Sequence, residues 1–177
     1  MASACPNAAI FIYDTEPFTA KTERLATRPG GGLERTDGET FSIVTDHQLG
    51  VFEGACNECS NCETYCPEEG APFQAKERVF SARAQFEASG SDGFFRDGDL
   101  LLARLGGQEH LLMVNTVENR ASLSIPGATL KLEWEPPRVL EGEPVTSFDT
   151  STLWRIKTVW ETIYHSKRPN PVNPEGL

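Results

Sequence analysis

The chain has 177 residues, 38% of them hydrophobic and 24% charged, enough apolar matter for a modest core and too much for a disordered chain. Its net charge of −10 argues against nucleic acid as a partner, because phosphate binding needs a basic face. No run approaches the ~18 apolar residues of a membrane span. The N-terminus lacks the basic and apolar regions of a signal peptide, so a cytoplasmic location is expected, with no membrane partner.

In chain order, "NAAIFIY" (7–13) predicts a short strand, with Ile10 and Ile12 on one face and Phe11 on the other. The polar stretch that follows, to about residue 39, is expected to be an insertion loop. Its Gly30, Gly31 and Gly32 lack the Gly-Lys-Ser/Thr ending of a phosphate loop. "TFSIVTD" (40–46) alternates like a strand. After the cysteine-rich segment come five strand-like runs: "RVFSARAQF" (78–86), "DLLLARL" (99–105), "HLLMVNTV" (110–117), "ASLSI" (121–125) and "TLKLEWE" (129–135). Gly106-Gly107 between two of them marks a hairpin. "DGFFRDGD" (92–99) has carboxylates but not the rest of a calcium loop, so a turn is expected. Leu153, Ile156, Trp160 and Ile163 recur at helical spacing and predict an amphipathic helix over about 150–166, capped by Asp149 or Ser151. Residues 167–177 hold three prolines and predict an extended tail.

Chemistry concentrates in "ACNECSNCETYCPEEG" (55–70). Cys56, Cys59, Cys62 and Cys66 fall within it, and Cys5 is the only other cysteine. The pattern is C-x2-C-x2-C-x3-C-P, the bacterial ferredoxin spacing for a 4Fe–4S cluster, in which the last cysteine ligates the other cluster. Three thiolates, Cys56, Cys59 and Cys62, can take three corners of one cube. Cys5, also followed by proline, is the candidate fourth ligand. Cys66 is then the ligand of a second, absent cluster, or the alternative fourth ligand with Cys5 free. A structural zinc site normally uses two knuckles set ~15–20 residues apart. Disulfides are disfavoured in a reducing compartment. An open iron acting as a Lewis acid has only His47 close in sequence as an acid–base partner.

"CNEC", "NC", "CPEEGAP" and the downstream "DGFFRDGD" resemble the C-terminal iron–sulfur region of the family named "putative selenate reductase", and "CPNAAIF" resembles the end of that family's first cysteine run. Members of that family join a flavin- and pyridine-nucleotide-binding oxidoreductase part, related to the glutamate synthase small subunit, to ferredoxin-type clusters. The resemblance implies an electron-transfer component, with a flavin/NAD(P)-type oxidoreductase chain or subunit as partner and no catalysis by this chain alone. The family's further cysteines before Cys-Pro-Asn have no counterpart here. The chain is thus expected to be either a separate subunit or an N-terminally truncated piece. One cluster is expected, and a second only if another chain supplies three cysteines.

The expected architecture is α+β. A small ferredoxin-like iron–sulfur domain over 1–75, with its insertion loop at about 14–39, precedes an antiparallel β-rich domain over 76–166 that ends in the helix. The alternative function is a non-redox interaction module, stapled by a cluster or by zinc.

Overall fold

The computed structural model describes residues 5–65 and 71–176. Nine strands form one mixed sheet. In chain order they are β1 (Ile10–Asp14), β4 (His47–Phe52), β5 (Glu77–Phe80), β6 (Gly93–Asp97), β7 (Leu100–Leu105), β8 (Gln108–Asn115), β9 (Arg120–Ile125), β10 (Ala128–Glu133) and β11 (Arg138–Glu141), and they lie side by side in that order. A second sheet has three strands: β2 (Phe18–Thr27) sits between β3 (Leu33–Ile43) and the short β12 (Phe148–Asp149).

This arrangement corrects the expected α+β fold. The molecule is mostly β, and no separate ferredoxin-like unit stands before a β-rich one. β1 and β4, from the segment expected to be that unit, continue directly into the sheet of the second half through parallel pairing of β4 with β5. Strand periodicity does not reveal which strands neighbour one another, so a continuous sheet and two small ones read alike.

Every strand of the large sheet turns one face to a single core, and one helix fills it. Phe11, Val79, Phe94, Leu101, Leu112, Leu123, Leu132 and Val139 pack there with Leu153, Ile156, Trp160 and Ile163. The helix α4 (Ser151–Val159) runs on into a π-helical turn, Trp160–Tyr164. Over these residues only Glu161 is exposed. A helix enclosed this fully must satisfy its polar side chains internally. Arg155 donates two bonds to Glu77, at 2.8 and 2.9 Å. Lys157 bonds Glu135 at 2.7 Å, pairs with Glu161, and lies 4.6 Å from the Trp134 ring centre. The Tyr164 hydroxyl donates to the Phe94 carbonyl at 3.1 Å. The small sheet closes the core beside the helix, with Phe18 stacked near Trp154 and Leu25 fully buried.

Three local expectations change. The insertion loop is the β2–β3 hairpin, whose residues are too polar to show an apolar alternation; Gly30, Gly31 and Gly32 supply the positive φ of its turn. "DGFFRDGD" is largely strand β6, because Phe94 and Phe95 are buried on opposite faces of the sheet. The second half of "RVFSARAQF" is a helix, α3 (Arg83–Ser89). At the helix start the cap position is Thr150, not the expected Asp149 or Ser151, while Asp149, one residue earlier, accepts the Ser151 N–H at 2.8 Å. The tail is held down: Asn170 donates to the Ile163 carbonyl and Asn173 to the Ser166 carbonyl. Among the described residues no helix is long and apolar enough to cross a membrane.

Ile156 is fully buried at the centre of this core. Ile156→Ala should lower stability by about 2–5 kcal/mol in urea unfolding, through lost burial and a residual cavity. His110 on β8 is buried with its Nδ1 unpartnered, and burial holds its pKa below the ordinary imidazole value. The unfolded chain then binds a proton that the folded chain refuses, so stability is lost as pH falls below ~6.5. His110→Leu should flatten that part of the stability–pH curve; an unchanged slope between pH 6.5 and 5 rules out this source.

Candidate cofactor site

Parallel neighbours cannot be joined by a tight turn and need a crossover of a dozen or more residues. Between β4 and β5 that crossover is residues 53–76, and it carries the cysteine run. It leaves from the carboxyl end of β4, the kind of place where ligands gather in sheets with parallel strands. β1 runs antiparallel to β4, pairing Ile10 with Val51, so the start of β1 lies at the end of β4. The Phe52 N–H donates to the Ala9 carbonyl at 2.7 Å. Topology thereby brings Cys5, just before β1, to Cys56, just after β4.

The two segments share a small core of their own on the sheet face turned away from the enclosed helix. Ile10, Val51, Ala71, Phe73 and Cys62 form it, and Cys5 and Cys56 pack against it. Cys62 is buried on a short helix, α1 (Asn61–Thr64); Cys5 and Cys56 are half-buried and Cys59 is exposed. All four are free thiols. Cys66 lies outside the described residues. Among those residues, no three Cys, His, Asp or Glu side chains converge closely enough to hold a single metal ion. His47 stands at the far end of β4, exposed and paired with Asp46.

The backbone around these sulfurs is strained in a consistent way. Among the described residues four non-glycine residues have positive φ: Ala8 (52°), Glu58 (53°), Ser60 (61°) and Asn119 (52°). Three of the four sit in the cysteine segments. Left-handed residues turn successive N–H groups toward one side, making concavities that receive anions and iron–sulfur groups. The first of these is visible at Cys5, whose Sγ accepts the Ala9 N–H at 3.3 Å. Burial pushes the Cys5 thiol up, but the N–H groups of Ala9, Asn7, Ile10 and Ala8 together hold it below its ordinary value. At Cys56 burial prevails and pushes the thiol up, against the Glu58 N–H and the nearby Arg78 charge. Three free thiols, Cys5, Cys56 and Cys62, gather on one small core, and the Cys5 Sγ accepts a backbone N–H.

Sequence reasoning missed Arg78. Its side chain is 8% exposed, and it donates to Glu53 at 2.7 Å, to Glu58 at 3.1 Å and to the Phe73 carbonyl at 2.9 Å. The only local signal was a charged residue flanked by Val79 and Phe80 in a strand-like run; the parallel pairing that buries it is not visible in the sequence.

No family model matches the chain, and no solved structure matches it. A 65-residue stretch is 36% identical to "Putative oxidoreductase YgfK" of Escherichia coli strain K12, and the match to the protein of that name in strain O157:H7 is the same. The stretch is 37% of this chain and 6% of either relative, so the chain spans a small part of the proteins it matches.

Cys5→Ala removes the acceptor that orders the Cys5–Ala9 turn. In the metal-free chain, hydrogen exchange should quicken at Ala9 about fivefold, the loss of roughly 1 kcal/mol of hydrogen bonding, while β8 and β9 amides keep their protection.

Proposed function

We propose that this chain is an iron–sulfur electron-transfer component holding one 4Fe–4S cluster at the carboxyl end of β4, through Cys5, Cys56, Cys59 and Cys62. The observation that carries the reading is that three of the four left-handed non-glycine residues among the described residues fall in the two cysteine segments, which the fold lays side by side. Such residues cost about 1–3 kcal/mol each and persist where the site needs them. When bound, a thiolate-ligated cluster takes up and releases one electron at a potential set by burial and by hydrogen bonds to sulfur.

The chain's own residues do the rest. The Cys5–Ile10 turn directs N–H groups at sulfur and lowers the proton affinity of the thiol that must ionise to ligate. Ile10, Val51 and Phe73 keep water from the inner side. Cys59, exposed, marks the outer side as the place where electrons enter and leave. Similarity to part of a protein named as an oxidoreductase supports a redox role. The resemblance carried by the cysteine motifs supports a flavin- and pyridine-nucleotide-binding partner. Cys66 serves a second cluster completed by another chain.

The test is anaerobic assembly of the recombinant chain with iron and sulfide. About four irons and four sulfides per chain are expected, with a reversible one-electron reduction. Cys5→Ser and Cys62→Ser should each lose at least half the iron, and Cys66→Ser should keep it. One zinc with no iron, or loss in Cys66→Ser with retention in Cys5→Ser, contradicts the ligand set.

A further inference from the structure

Arg78 belongs to β5, yet its guanidinium does its bonding outside the sheet. Val51 of β4 is its strand neighbour, so its side chain emerges beside the point where the cysteine crossover leaves. The three acceptors it engages are spread along that crossover. Glu53 precedes Cys56, Glu58 lies between Cys56 and Cys59, and Phe73 follows the run. One planar donor group therefore fixes the departure, the middle and the return of the same loop. An Arg fork can do this and a Lys ammonium cannot, because a point charge lacks the spread of donors.

Glu58 connects this tether to the strain. It is one of the left-handed residues, at φ 53°, and its carboxylate is one of the three Arg78 partners. The ion pair holds in place a backbone turn that an isolated chain disfavours. The Glu58 side chain is otherwise 55% exposed, so packing does not hold it. Between residues 36 and 75 the sequence has no Lys or Arg, so the cation that shapes this loop has to come from beyond it.

We infer that Arg78 is a positioning residue of the cysteine site, clamping residues 53–58 and Phe73 in the arrangement that sets Cys56 and Cys62 against one small core. The inference rests on the iron–sulfur reading of that site. Arg78 touches no sulfur; it acts through Glu53, Glu58 and the Phe73 carbonyl.

The test compares Arg78→Met, Arg78→Lys and Glu58→Ala in the full chain. Glu58→Ala removes one surface arm of the clamp and leaves the core intact, so it remains informative if Arg78→Met does not fold. In metal-free protein, amide exchange over residues 56–62 should rise at least tenfold in Glu58→Ala and Arg78→Lys, with β7–β10 unaffected. In anaerobically loaded protein, iron loss to a chelator should speed up in the same order. The midpoint potential should be more negative in Arg78→Met than in Arg78→Lys, which keeps the cation. Unchanged loop exchange, or a rise spread equally over the whole sheet, overturns the clamp. Loop exchange that responds as expected in a wild-type chain that binds no iron overturns the iron–sulfur reading instead, and with it the role of Arg78 in that site.

Discussion

Enclosure of one helix by one sheet is the constraint from which the rest follows. The inner faces of nine strands and the segment Ser151–Tyr164 bury each other, with Leu25 and Phe148 of the small sheet beside them. That commits the inner face everywhere. The outer face is a different problem. Antiparallel strands β7 to β11 can leave it to water, and Met113 and Leu140 are exposed there. The parallel neighbours β4, β5 and β6 carry apolar residues on both sides, so their outer face needs a cover. The two crossovers supply it: α3 brings Phe86 onto Phe80 and Phe95, and the cysteine segment brings Cys62 and Phe73 onto Ile10 and Val51. The cysteines are thus placed by the same demand for burial that shapes the sheet.

β5 ties the two sides together. Glu77 anchors Arg155 of the enclosed helix, while the next residue, Arg78, anchors the cysteine crossover. Arg78, with its side chain 8% exposed, is held by geometry as much as by attraction; stripping the partners from a charge so buried costs about 3–5 kcal/mol. Glu77 and Arg78 therefore act as fixed points, one for the core and one for the loop. A redox centre held at the cysteine segments, as proposed, would gain from this arrangement, because a fixed outer shell orients its ligands.

Some of this was legible in the sequence and some was not. The strands β7 to β10 and their Gly106-Gly107 turn follow from alternation and turn chemistry, and the helix follows from its Leu153–Ile163 stripe. The hairpin β2–β3 was invisible because polar residues such as Lys21, Thr22 and Glu23 occupy it, and strand pairing with β12 is what orders it. Fold class failed on topology: the strand expected at "TFSIVTD" is the end of β3 in the small sheet, and nothing local in the next strand, His47–Phe52, or in "RVFSARAQF" says that these two pair in parallel across the cysteine run. The cysteines themselves were conspicuous, and Cys5 was singled out by its proline. What sequence could not supply was the reason Cys5 and Cys56 pack on one small core, which is the antiparallel pairing of β1 with β4. Arg78 was hidden for a related cause, since its partners depend on where the crossover returns.

The account stands or falls on whether Cys5 and the run at 56–62 serve one centre. The most direct measurement is NMR of the chain with cysteine β-carbons labelled, loaded anaerobically with iron and sulfide. Large paramagnetic shifts at Cys5 together with Cys56, Cys59 and Cys62 are predicted. An ordinary diamagnetic Cys5 signal beside a shifted Cys66 would contradict the account.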